Sequence, residues 1–190
     1  SSQSNLTSFI FPTGLKFNKL DLEINLEGER SECNLQSASF LNNNEHQEVK
    51  TRVNHLFPNC KSYQKVKNVL TADSKGVYQG KIFVKDVAQK TDAYQLSKAI
   101  LLSGGSEFDS KPELEIYADD VKCSHGSTSG SLDKDSIYYL MTRGLSKKES
   151  TKLLVNGFLN EVADSIKSES IKKFIKIKLD NQLLDEYKKH

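Results

Sequence analysis

The sequence contains no tryptophan, one methionine, three prolines and three cysteines among 190 residues. It also lacks a long apolar run. The longest uninterrupted aliphatic stretch is Ala99-Ile100-Leu101-Leu102. Crossing a bilayer takes about 20 apolar residues, so a transmembrane helix is excluded and no membrane partner is expected. No apolar segment follows the start, which argues against a secretory leader. The chain opens Ser1-Ser2-Gln3-Ser4, without methionine, and is expected to be a processed product or part of a longer chain. Arginine is scarce as well: Arg30, Arg52 and Arg143, against 24 lysines. Arginine is the usual residue for bidentate phosphate recognition. With 27 basic and 25 acidic residues the formal charge is only +2, so nucleic acid is not an expected partner. Residues 131–190 carry 12 basic and 9 acidic groups, an excess that fits a solvated helical surface. Richness in Lys, with Asn42-Asn43-Asn44 in one loop, suggests AT-rich codon usage.

What is present is patterned. Up to about residue 130, apolar residues alternate with polar ones in short runs. Leu20, Leu22, Ile24 and Leu26 are separated by Asp21, Glu23 and Asn25, the period of two of a half-buried strand. Similar runs follow around Leu35 to Phe40, Val49 to His55, Tyr63 to Val69, Val77 to Val84, Tyr94 to Leu102 and Leu114 to Tyr117. Leu22, Leu35, Val49, Tyr63 and Val77 recur every 13 or 14 residues. Many short strands at even spacing suggest a sandwich, a barrel or a β-solenoid. Tight Asn-Gly and Asp-Gly turns are missing, which disfavours a hairpin-built sandwich. After residue 131 the period becomes helical. Asp133 stands as an N-cap ahead of Ile137, Tyr138, Leu140 and Met141, and Gly144 can supply a left-handed stop. Ser146 and Glu149 fit a capping box before Leu154, Phe158, Val162 and Ile166. Ser168 or Ser170 can start a third helix with Ile171, Phe174, Ile175, Leu179, Leu183 and Tyr187.

Few constellations carry chemistry. Gly104-Gly105 has no nucleotide-loop context, and neither a nucleophile elbow nor an HExxH zinc motif occurs. Cys33, Cys60 and Cys123 match no zinc or disulfide framework and read as free thiols of a reducing compartment. Asp119-Asp120 reads as a turn after a strand. The unusual segment runs from Ala118 to Gly126. On a strand, Cys123 and His125 would share one face. Thiolate and imidazole suit Zn, Cu or an iron–sulfur cluster. Two ligands do not hold any of these, His46 and His55 lie far away in sequence and His190 is terminal, so spacing alone favours a buried cysteine beside a hydrogen-bonded histidine over a metal site.

The stretch Pro112-Glu113-Leu114-Glu115-Ile116-Tyr117-Ala118-Asp119-Asp120-Val121-Lys122-Cys123-Ser124-His125-Gly126 resembles the SufB/SufD family of iron–sulfur assembly scaffolds, on its SufD side. Gln89 to Gln95 with Leu101-Leu102-Ser103, Tyr138 to Gly144, and His55 with Pro58, Cys60 and Ser62 extend the resemblance. Ser127, Tyr138 and Arg30 depart from the family's usual residues. The resemblance implies a parallel β-helix (solenoid) core over residues 1–130, truncated at its N-terminal side, and a C-terminal helical domain over residues 131–190. It implies a non-catalytic scaffold subunit that pairs with SufB through the β-helix and docks the SufC ATPase through the helices. His125, with Cys123 the weaker candidate, would be an interface ligand of a nascent iron–sulfur cluster. That cluster would be transient and shared with SufB, and none is expected on this chain alone. Tyr138, Tyr139, Arg143 and Phe158 would serve SufC docking. A homodimer through the SufB-facing edge is a further expectation, as is a plastid stroma or bacterial cytoplasm. Two other readings stay open: a β-solenoid enzyme acting on carbohydrate, and an interaction module without cluster chemistry.

Overall fold

The computed structural model describes the backbone of residues 2–188 and the side chains of residues 2–183. Nine strands come first: β1 (Asn5–Ile10), β2 (Phe17–Leu26), β3 (Glu32–Leu41), β4 (His46–His55), β5 (Lys61–Leu70), β6 (Lys75–Val84), β7 (Asp92–Leu101), β8 (Glu107–Ile116) and β9 (Lys122–Gly130). Odd strands form one parallel sheet in the order β1-β3-β5-β7-β9, and even strands a second in the order β2-β4-β6-β8. The chain therefore winds as a parallel β-solenoid of about four turns, two strands to a turn.

One turn spans 27 to 32 residues, as in the pairings Asn5↔Glu32, Glu32↔Lys61, Lys61↔Asp92 and Lys75↔Glu107. The 13- to 14-residue spacing in the sequence is thus half a turn: Leu22, Leu35, Val49, Tyr63 and Val77 fall on five successive strands. It runs slightly short, because Val49 stacks on Leu20 and Tyr78 rather than on Leu22 and Val77. The corners explain the missing hairpin glycines. Gln3, Arg30, Asn59 and Lys90 each stand two residues before a strand of the odd sheet, with φ near +60°. Arg30, the departure noted in the sequence, occupies one of these left-handed corners. Backbone bonds join the corners in series, Gln3 N–H to Glu29 O at 2.8 Å and Asn59 N–H to Gln89 O at 2.9 Å among them.

Alternate side chains point inward and stack between the sheets. Leu26, Cys33, Val53 and Cys60 make one buried cluster, and Val49, Val66 and Tyr78 another. The odd sheet is covered on its outer face too, so β3 is buried along nearly its whole length and shows little alternation. Its cover is helical.

Three helices follow: α1 (Lys134–Thr142), α2 (Lys147–Asp164) and α3 (Glu169–Lys188). Their ends agree with the capping logic. Asp133 accepts from the Asp135 and Ser136 amides, Ser146 and Glu149 form the reciprocal capping box, and Gly144 has φ +95°. The third helix begins directly after Ser168; Tyr187 and His190 fall outside the residues whose side chains are described. Val155, Leu159, Val162, Leu179 and Leu183 bury against Ala38, Phe40 and Val69, so helices and solenoid share one core.

An ionic clamp accompanies that apolar contact. Glu161 of α2 bridges Lys65 and Lys67 of β5, the former at 2.8 Å. Lys67 also donates to the Phe158 carbonyl at 3.0 Å and lies 4.4 Å from the Phe158 ring centroid. The two hydrogen-bonding lysines hold the Glu161 carboxyl down at about 2. Burial keeps the Lys67 ammonium below its usual value despite Glu161. Lys65 meets the same burial penalty, but Glu161 outweighs it and lifts its value.

Because the folded value of Glu161 lies below its unfolded one, its contribution is present above about pH 4.5 and is lost as pH falls towards 2. Glu161→Gln is expected to leave Lys67 without its counter-ion and to cost about 1–3 kcal/mol, moderated because the carboxylate is half exposed. Urea unfolding at neutral pH would measure that loss. Hydrogen exchange of the α2 amides between pH 5 and 3 would show the acid loosening, which the variant is expected to lack.

Candidate functional site

The candidate pair sits where the solenoid ends. Among the described residues, β9 pairs only with β7, and β8 only with β6. One edge of each last strand therefore has no partner strand, and the inward side chains of the last turn have no further turn to cover them. Phe108, Ser110, Pro112 and Leu114 of β8 stack on Gly76, Tyr78, Gly80 and Ile82, yet each is only partly buried. Pro112, which has no N–H to give, is tolerated at such an edge.

Cys123 and His125 lie on β9, in register with the buried Ala93 and Gln95. They do share one face, and it is the inward one. Their surroundings differ. Cys123 packs beside Ile82, Val84, Ala88, Ala93 and Ala118, and burial pushes its thiol up, with Asp92 adding to the effect. His125 is exposed at the open end. Beside them hydroxyls close the layer: Ser97 lies 2.7 Å from Ser110 and donates to Ser127 at 2.9 Å. Among the described residues no group of three or more His, Cys, Asp or Glu converges to hold a metal ion.

The other histidines and cysteines do different work. His55 is fully buried, 2.9 Å from Ser62 through Nε2, and burial pulls its value down to about 4. Cys60 donates its thiol to the Gly28 carbonyl at 3.2 Å, and buried Cys33 is pushed up to about 11. The segment with His55, Pro58, Cys60 and Ser62 is thus a corner of the second turn, away from the open end. His46 bonds Glu48 at 3.2 Å on the outer face of β4.

On the helices, Tyr138 and Tyr139 are 69% and 57% exposed, and the Arg143 guanidinium lies 5.2 Å from the Tyr139 ring. Met141 is exposed beside them. Phe158 is placed otherwise: it is half-buried, packed on the shared core beneath Lys67. The clamp that holds α2 was not evident from the sequence, because Lys67 and Glu161 lie 94 residues apart.

The outer face of the even sheet carries a groove of about 380 Å³ with Asp21, Glu23, Arg52, Lys81 and Glu113 along it. It bears on a carbohydrate enzyme. Asp21 pairs with Lys50 at 3.7 Å, Glu23 accepts from Asn54 at 2.8 Å, and Glu113 pairs with Lys111 at 3.2 Å. All three carboxylates are thus already engaged by a lysine or an amide, whereas acid–base work on a glycosidic bond needs two that reach the substrate.

Fold and site together define a parallel β-solenoid with a helical cover on one sheet and a histidine at an open end. The chain matches the family model described as SUF system FeS cluster assembly, SufBD core domain, over residues 1–158. It is 33% identical over 158 residues to the iron–sulfur cluster assembly protein SufD of Escherichia coli, covering 83% of this chain and 37% of that protein. It is 30% identical over 158 residues to an iron–sulfur cluster assembly SufBD family protein of Synechocystis, covering 83% of this chain and 35% of that one. The chloroplastic ABCI7 protein of Arabidopsis thaliana is 34% identical over 104 residues, 55% of this chain and 22% of that protein. The chain belongs to the SufBD family of the SUF iron–sulfur assembly system. It spans little more than a third of the length of the bacterial relatives it matches.

The burial order of the thiols sets their reactivity. With iodoacetamide at neutral pH, Cys123 is expected to be alkylated first, more slowly than a free cysteine, with Cys33 and Cys60 protected in the folded chain. Mass spectrometry over time checks this; equal rates at all three would contradict the assigned burial.

Proposed function

We propose that this chain is a non-catalytic scaffold subunit of iron–sulfur cluster assembly that pairs end-on with SufB and docks the SufC ATPase. Membership of the family supports the assembly role. The observation that carries the pairing is the half-covered last turn. Unpaired strand edges seek a partner strand, and an uncovered core layer gains by being covered. SufB stacking on β8 and β9 would supply both. Without SufB, a second copy of this chain would take the same edge.

In this reading His125 is the ligand offered to the nascent cluster, and Cys123 the weaker one. A cluster needs a thiolate or a neutral imidazole with an open approach. His125 is exposed, whereas burial keeps Cys123 protonated at neutral pH. The cluster is cargo, shared across the interface with SufB cysteine and released afterwards; a mixed site with one labile imidazole favours release. ATP-driven movement of SufC would open that interface.

We divide the working parts at residues 1–130 and 131–190. The first presents the cluster edge, and the second presents Tyr138, Tyr139 and Arg143 to SufC, with Phe158 holding α2 against the sheet at the margin of that surface. Exposed aromatics beside an arginine are the usual composition of a binding hot spot. The compartment is a bacterial cytoplasm or a plastid stroma; the chloroplastic relative supports the latter setting. No helix among the described residues is long and apolar enough to cross a membrane.

His125→Ala in the reconstituted SufB–SufC–SufD-type complex is expected to lower cluster yield several-fold, measured as bound iron and sulfide. Full yield with both Cys123 and His125 removed would instead favour an interaction module without cluster chemistry. Tyr138→Ala combined with Tyr139→Ala is expected to weaken SufC binding by about 10- to 100-fold in calorimetry, without altering the chain's own melting temperature.

A further inference from the structure

One inward column carries two long amide side chains, where the columns beside it carry small residues such as Cys33, Ser62 and Ala93, or Ser37, Val66 and Ser97. Leu35, Gln64, Gln95 and His125 stand in direct register on β3, β5, β7 and β9. Gln64 and Gln95 are 0% and 1% exposed. Gln64 Oε1 accepts from Thr51 Oγ1 at 2.7 Å and from Tyr78 Oη at 3.3 Å. Gln95 Nε2 donates to the Gly80 carbonyl at 3.3 Å.

The space for this arrangement comes from Gly80. A Cβ at that position would lie 2.3 Å from Gln95 Nε2 and 2.5 Å from Tyr78 Oη, so no other residue lets both polar groups stay where they are. The bond to Gly80 also fixes which way the Gln95 amide faces, because the reverse orientation would set two carbonyl oxygens against each other. Two atoms in the column are then left buried without a partner, Gln64 Nε2 and Gln95 Oε1. Buried polar atoms are nearly always satisfied. Gln95 Oε1 is therefore an unused acceptor, and the next residue along the column is His125.

A neutral imidazole has one N–H and one lone pair, and whichever nitrogen donates leaves the other free to bind. Ligating histidines usually give their N–H to a carbonyl or carboxylate, which fixes tautomer and ring direction. We propose that Gln95 is the positioning residue for His125: its buried carbonyl oxygen accepts the imidazole N–H, directly or through one water, and leaves the other nitrogen's lone pair facing the open end of the solenoid. The proposal deepens the reading of His125 as a ligand and rests on it for its purpose, but the hydrogen bond itself needs no cluster.

The test uses the full chain with nitrogen-15 histidine, in two-bond proton–nitrogen spectra at about pH 7.5, with His125→Ala giving the assignment. The expected result is a single His125 tautomer in the unsubstituted chain. Gln95→Met keeps the volume but removes the acceptor, and is expected to turn that signal into a tautomer mixture. Gln95→Glu, with its buried carboxyl protonated toward the Gly80 carbonyl, keeps the acceptor and is expected to restore one tautomer. His55, buried against Ser62, is the folding control, and its signals are expected to stay unchanged. In the reconstituted complex, Gln95→Met is expected to lower cluster yield at least threefold and Gln95→Glu to recover it. Averaging tautomers in the unsubstituted chain overturn the proposal even if Gln95→Met does not fold, and so does an unchanged His125 signal in a folded Gln95→Met chain. A locked tautomer together with full cluster yield from His125→Ala would overturn the functional reading while leaving the hydrogen bond standing.

Discussion

The rest of the molecule depends on the parallel backbone ladder that runs from turn to turn. Each ten-residue strand is satisfied only by the strands one full turn before and after it, so no turn is complete by itself. Register is kept along the whole stack, from Leu20 through Val49 to Tyr78 and from Leu35 through Gln64 to Gln95. The ladder makes a stable interior from a chain with modest apolar content, because side chains need to fill only a thin space between two sheets. It also guarantees an unsatisfied end. The last turn has Phe108, Leu114 and Cys123 half-covered, and His125 stands where the stack would otherwise continue.

The helices answer a different need. The odd sheet carries apolar residues on both faces of β3, and its outer face would be exposed without α2 and α3. Ala38, Phe40 and Val69 are buried because Val155, Leu159 and Val162 lie on them. The Glu161 clamp then fixes where along the sheet the cover sits, since a carboxylate between two lysines has one good position and an apolar face has several. The even sheet needs no cover, and its outward rows are ionic, with Lys19 and Glu48 at 3.1 Å as one example. The two faces of the solenoid thus differ because their outward residues differ.

Much of this was legible in the sequence, for local reasons. Helix caps at Asp133, Gly144 and Ser146 depend on neighbours within four residues. The alternation in β2 shows because one of its faces meets water, and Cys123 and His125 sharing a face follows from the pleat alone. The even spacing along the strands was visible, but it measured half a turn, because consecutive strands lie in opposite sheets. The early part of β8 and all of β1 escaped notice. Phe108 to Pro112 reads Phe-Asp-Ser-Lys-Pro, and a partly buried edge strand has no reason to look more apolar than that. The clamp and the Gln64–Gln95 column were hidden for a stronger reason: Lys67 looks like any surface lysine, and Gln95 like any polar strand residue, until residues about 30 and more than 90 positions away are brought beside them.

The corners have a consequence for how such a chain can change over evolutionary time. Strands β2 to β8 each have ten residues, yet the offset between stacked strands among them varies from 29 to 32. That variation is absorbed where the chain bends: five residues join β2 to β3 and β4 to β5, whereas seven join β6 to β7, in the bend that holds Lys90 in left-handed geometry. Insertions and deletions are therefore channelled into the bends, where they lengthen or shorten the perimeter without sliding one strand past another. A single residue gained inside β7 ahead of Gln95 would reverse the facing of the rest of that strand and carry Gln95 out of the interior. The same residue gained between Asp86 and Lys90 would leave the column undisturbed.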